Sequence, residues 1–75
     1  MAKLPRLSGK EVERALSKAG FKSIRQRGSL VFMIKETQNG KIPLVVPMHK
    51  EIDKGTLLEI IRQSKLSRDE FFSLL

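Results

Sequence analysis

The chain carries one histidine, His49, in the segment "VPMHK", and no cysteine. Histidine is the side chain best suited to moving protons near neutral pH, so metal-free acid–base chemistry would start there. A lone loop histidine is more often structural or solvated than catalytic, so His49 alone is not expected to carry catalysis. Cations surround it in the sequence. Lys50 and Lys54 bracket the start of a predicted helix, Lys41 opens a predicted third strand, and Lys22, Arg25 and Arg27 crowd a first strand ending at Gly28-Ser29. Lysines at a helix N-terminus form a ready phosphate site, and duplex RNA is gripped mainly through phosphates and 2′-hydroxyls. The candidate RNA-binding set is therefore Lys22, Arg25, Arg27, Lys41, His49, Lys50 and Lys54. The bland alternative is cations dispersed for solubility. One histidine and no cysteine leave the usual zinc-finger ligand sets unavailable, so neither a metal site nor a cofactor is expected.

The elements that must position these groups are punctuated clearly. In "SGKEVERALSKAG", Ser8 and Glu11 have capping-box spacing. Val12, Ala15, Leu16 and Ala19 form one apolar stripe, and Gly20 supplies a left-handed stop against which Phe21 can fold. Three extended runs follow: "KSIRQR", "LVFMIKE" and "KIPLVVP". Gly28-Ser29 suits a two-residue hairpin loop with Gly first, and Asn39-Gly40 is a second hairpin signal. Pro43 cannot donate to a ladder, so the third strand belongs at an edge. A second helix over "DKGTLLEIIRQSKL" is capped by Asp53, with Leu57, Ile60, Ile61 and Ser64 on one face. Gly55 in its first turn would let backbone or phosphate approach closely. Ser67 and Glu70 repeat the capping box, and Phe71, Leu74 and Leu75 are expected to close a terminal helix onto the core. The sum is an α+β fold, α-β-β-β-α, with a three-stranded antiparallel sheet, helices on one face and a short C-terminal helix.

Seventy-five residues make one small domain, residues 1–75, of a size for which an oligomer or tight partner is a natural support. Fifteen Lys and Arg against eight Asp and Glu give a formal charge of +7 and a pI near 10.3, which favours a polyanion or an acidic protein as partner. The N-terminus "MAKLPRLSGK" has no apolar leader core and no apolar run approaches membrane-spanning length, so a cytoplasmic setting and no membrane contact are expected. Tyr and Trp are absent and the four Phe sit at apolar-stripe positions, which makes base stacking on single strands a weaker reading.

The order of "SGKEVERALSKAGF", "RQRGS", "VPMHKEIDKGTL" and "IIRQSKLSRDEF" resembles the HicA family of small bacterial and archaeal toxins, from Ser8 to Leu74. The resemblance implies a fold like the double-stranded-RNA-binding domain. It further implies ribosome-independent cleavage of messenger RNA and neutralisation by a HicB antitoxin, with which the chain would form an oligomer. In that family the Gly-Ser of the hairpin is followed by a histidine taken as catalytic, and a histidine often stands where His49 does, which implies a secondary role for His49. Here Ser29 is followed by Leu30, so the family's catalytic site falls at Ser29/Leu30 with no imidazole to fill it.

Leucine can neither take nor give a proton, which points to an attenuated or inactive nuclease. On the second strand Leu30, Phe32 and Ile34 share one face, and Val31, Met33 and Lys35 the other. The first set is the more apolar and is expected to meet the helices. That parity favours a missing residue between Ser29 and Leu30 over direct replacement of histidine by Leu30. Two other readings stand beside the nuclease: a non-catalytic RNA-binding module, and an interaction domain whose basic face docks an acidic antitoxin.

Overall fold

The computed structural model describes residues 4–75; the first three residues of the N-terminal segment read above for a leader lie outside that range. The chain runs α1 (Gly9–Lys18), β1 (Lys22–Arg27), β2 (Leu30–Thr37), β3 (Gly40–Pro47), α2 (Lys54–Gln63) and α3 (Arg68–Ser73). The strands form one antiparallel sheet in the order β1-β2-β3. Class and element order are those read from the sequence.

Helix α1 begins with the predicted capping box: Ser8 Oγ accepts from the Glu11 N–H, and the Glu11 carboxylate accepts from the Ser8 N–H. Its end is a Schellman closure. Gly20 sits at φ 104°, its N–H reaches the Ser17 carbonyl, and the Phe21 N–H reaches that of Leu16. Val12, Ala15, Leu16 and Phe21 are buried, so the stop also delivers an aromatic ring to the core.

The first hairpin turns on Gly28-Ser29, with Arg27 opposite Leu30 and Gly28 at φ 59°. The second differs from the Asn-Gly expectation. Thr37 pairs with Gly40, so the turn residues are Gln38 and Asn39, and Gly40 opens β3 at φ 124°. The Thr37 hydroxyl explains the shift: it donates to the Gly40 carbonyl and accepts from the Asn39 N–H, fixing the turn one residue early. Pro43 lies on edge strand β3, as its missing donor requires.

The face of β2 that meets the helices is the opposite of the expected one. Val31 and Met33 are buried beside Val46 and Leu44 of β3, while Leu30 is 39% exposed and Phe32 and Ile34 are half-buried on the open side. Counting apolar residues on β2 misleads because Lys35 belongs to the inward set. It sits at the margin of the core, its stem along Gly20 and its Nζ 5.8 Å from the Phe21 ring centroid, so it escapes to water without breaking the inward pattern.

Helix α2 packs Leu57, Ile60 and Ile61 inward, with its C-cap Ser64 also buried, and ends at Gln63, three residues before the end of the predicted run. Lys65 takes φ 67°, and the buried Ser64 hydroxyl bridges the turn, accepting from the Leu66 N–H and donating to the Ile61 carbonyl. Helix α3 carries the predicted Ser67–Glu70 capping box and buries Phe71. Leu75 does not close on the core: it is 49% exposed, and Leu74 is half-buried with its carbonyl accepting from Lys18 Nζ. Six residues end the helix before its last leucine can turn inward.

Gly9 holds the tightest approach in the fold. A Cβ there would lie 2.2 Å from the Pro47 carbonyl oxygen and 2.7 Å from Met48 Cα, both backbone atoms, and the Gly9 N–H donates to the His49 carbonyl at 2.9 Å. Gly9→Ala should therefore cost about 1–3 kcal/mol through forced backbone separation, read as a lower denaturant midpoint. Unchanged stability would mean that this approach is not held in solution.

Candidate nucleic-acid interface

Strand β1 would scatter its cations without one irregularity. Lys22 and Arg25 are three apart and in a regular strand would point to opposite faces. The register shifts between Ser23 and Arg25, leaving Ile24 as an extra residue. Lys22 then stands opposite Ile34, Arg25 opposite Phe32 and Arg27 opposite Leu30. All three are exposed and share the open face of the sheet, away from the helices. Across β2, the same ranks continue to Pro43, Val45 and Pro47. The open face is thus an apolar floor with a cationic margin along β1. Arg25 lies over the floor, its guanidinium carbon 4.9 Å from the Phe32 ring centroid. Phe32 is therefore no core-stripe residue, contrary to its sequence reading.

The hairpin end of this face is stitched to two other segments by backbone bonds. The Met48 N–H donates to the Ser29 carbonyl at 2.6 Å, and the next carbonyl, of His49, accepts from Gly9 at the start of α1. Leu30, opposite Pro47, therefore sits two residues along β3's exit from His49. His49 and Lys50 are exposed and border a groove of about 380 Å³ with Lys10 and Gln26, floored by Val31 and Met48. Lys10 is not among the candidates named from the sequence. Backbone bonds from Gly9 to the His49 carbonyl and from Ile52 to the Leu7 carbonyl, which carry no sequence signal, bring it beside Lys50.

Of two other candidates, one adjoins the cationic margin and one lies apart. Lys41 faces Glu36 at 3.8 Å on the open face, one same-side rank beyond Lys22 and Ile34 and roughly 20 Å from Leu30 at strand rise. Lys54 lines a different recess with Arg6 and Glu51, which pair at 3.7 Å. The structure thus brings together Lys22, Arg25 and Arg27 with Lys41 one rank beyond, and separately His49 and Lys50. Gly55 has open space around its Cβ direction apart from Asp53 Oδ2 at 3.4 Å, so no close backbone approach requires it. Among the described residues, no three or more His, Cys, Asp or Glu cluster as a metal site.

A family model described as the HicA toxin of bacterial toxin–antitoxin matches residues 9–66. The chain belongs to the HicA toxin family. It is thereby a toxin of the toxin–antitoxin class. Among curated proteins nothing matches it. The HicA match covers α1, the whole sheet and α2, and so contains the open face, Leu30 and His49; Ser8 and α3 fall outside it.

At the His49 side of this HicA-family fold, α2 is anchored by Asp53. Its carboxylate accepts from the Thr56 hydroxyl at 2.7 Å and the Thr56 N–H at 3.1 Å, and these two bonds, hydroxyl first, hold it below the ordinary carboxylate range. Further along, Glu59 is drawn down to about 2 by its hydrogen bonds from Arg62 and Gln63. A carboxyl lowered by folding stabilises the fold fully above its unfolded value and loses that contribution as pH falls through its folded value. Asp53→Asn caps without titrating. Its thermal midpoint should therefore fall less than the parent's between about pH 5 and pH 2. Identical pH curves would remove Asp53 from the acid response.

Proposed function

We propose that this HicA-family chain is an RNA-binding toxin whose family chemistry, ribosome-independent cleavage of messenger RNA, is attenuated by the leucine at position 30. The observation that carries the reading is the placement of Leu30. It follows the Gly28-Ser29 turn directly, is 39% exposed, and lies on the open face between Arg27 and Pro47. A histidine there would project among cations toward solvent. The strand parity that favoured a missing residue is reversed in the fold, so direct replacement of histidine by leucine is the simpler account.

Metal-free cleavage of RNA needs a base for the attacking 2′-hydroxyl and an acid for the leaving oxygen. Leucine supplies neither, and losing a positioned acid–base group costs about 10²–10⁴-fold in rate. His49 is exposed and two residues beyond Pro47, which suits a secondary, phosphate-facing role more than a replacement for the base. If His49→Ala abolished cleavage while RNA binding persisted, that ranking would be reversed. The cationic margin Lys22, Arg25 and Arg27 supports polyanion binding. The partners are messenger RNA and an acidic HicB-like antitoxin, met in the cytoplasm as part of a toxin–antitoxin oligomer; among the described residues no helix is long and apolar enough to cross a membrane. The absence of an imidazole from the open face favours one second reading, an RNA-binding module without catalysis.

Leu30→His separates the two. With end-labelled RNA, the variant should cleave about 10²–10⁴-fold faster than the parent and arrest growth on induction. A folded, RNA-binding Leu30→His chain that cuts no faster would refute attenuation at this position. Binding by the parent should also weaken steeply between low and moderate salt, since phosphate contacts release counterions; salt-independent binding would contradict the cationic margin.

A further inference from the structure

We infer that the open face of the sheet is a platform for single-stranded RNA, with a base stacked on the Arg25 guanidinium where it lies over Phe32. The inference rests on the RNA-binding reading above and deepens it by naming the form of RNA and the surface.

Of the four phenylalanines, Phe21 and Phe71 are buried, and Phe72 packs edge-on against Phe71 on terminal helix α3. Phe32 alone lies on the open face, at the centre of the middle strand. Arg25 crosses its ring at 4.9 Å. A guanidinium over a ring is weakly hydrated and stacks through its plane, and unstacked RNA bases stack on aromatic rings and on arginine planes alike. The floor on either side is aliphatic: Leu30, Ile34 and Val45, with Leu30 39% and Val45 40% exposed. Such a surface receives base and sugar faces without leaving polar groups unpaired.

Charge selects the occupant. Lys22, Arg25 and Arg27 occupy successive ranks along β1 and form no ion pair with any described residue. No acid stands in these ranks; the nearest, Glu36, lies one rank beyond and faces Lys41 at 3.8 Å. A phosphate backbone running along β1 would meet a cation at each rank while its bases turn inward over β2. Duplex RNA hides its base faces and would leave Phe32 and the aliphatic floor uncovered; it asks for phosphate contacts alone. An acidic protein would match the charge, yet has no need of a guanidinium plane. The platform therefore suits unpaired bases on an anionic strand.

The test uses the full chain, a fluorescein-labelled single-stranded RNA 12-mer, the same strand annealed to its complement, and anisotropy at low salt. Two variants keep charge or bulk while removing a plane: Arg25→Lys and Phe32→Leu. Circular dichroism and thermal midpoints confirm that each is folded. Each should weaken single-strand binding by about 5-fold or more, the lower range for loss of one stacked base, and change duplex binding less than 2-fold. Equal losses for both forms, or none, would overturn the platform while leaving RNA binding in place. If neither form binds the parent chain, the RNA reading itself fails. If Arg25→Lys and Phe32→Leu spare RNA but weaken capture of an acidic HicB-like antitoxin, the face is a protein-docking surface and the platform is wrong.

Discussion

Two cross-strand pairs, Val31 with Val46 and Met33 with Leu44, are the sheet's contribution to the core. Because strand side chains alternate, burying these four beneath the helices leaves no freedom for the rest. Leu30, Phe32, Ile34, Pro43, Val45 and Pro47 must stand on the other side, whatever their hydropathy. The open face is thus apolar by consequence. It is also where the residue after the Gly-Ser turn has to point. Core packing and site geometry are set by one choice of register.

A second constraint fixes the hairpin end of that face. Ser29, Met48, His49 and Gly9 are joined through backbone bonds alone, so their relative position does not depend on which side chains they carry. Substituting the residue at position 30 leaves this frame untouched. That independence lets position 30 change without disturbing the fold, and gives the close approach at Gly9 a part in placing the hairpin end.

Helix starts were legible because their signals are local. Ser8 with Glu11, Asp53, and Ser67 with Glu70 act within one turn, and the capping bonds form as spacing dictates. The first hairpin was legible for the same reason. What misled was context. Lys35 in the inward set looked like evidence for solvent, whereas its position at the core's rim lets the stem pack and the amine escape. Asn39-Gly40 looked like a turn centre until the Thr37 hydroxyl claimed the loop. The bulge at Ile24 has no sequence signature, yet it is what gathers Lys22 with Arg25 and Arg27. Lys41 and Lys54 were grouped with the others by proximity to strand and helix starts; the meander leaves Lys41 on the open face beyond Lys22 and takes Lys54 to a separate recess.

The same bulge has an effect outside the site. A three-stranded sheet has two bare margins, each able to recruit a strand from a neighbouring molecule. On β1 the displaced Ile24 interrupts the regular row of donors and acceptors, and lysine and arginine repel a like-charged copy. On β3, Pro43 removes a donor outright. Both margins are therefore poor templates for fibre growth, so a chain with this much exposed aliphatic surface can stay dispersed while its flat face remains available.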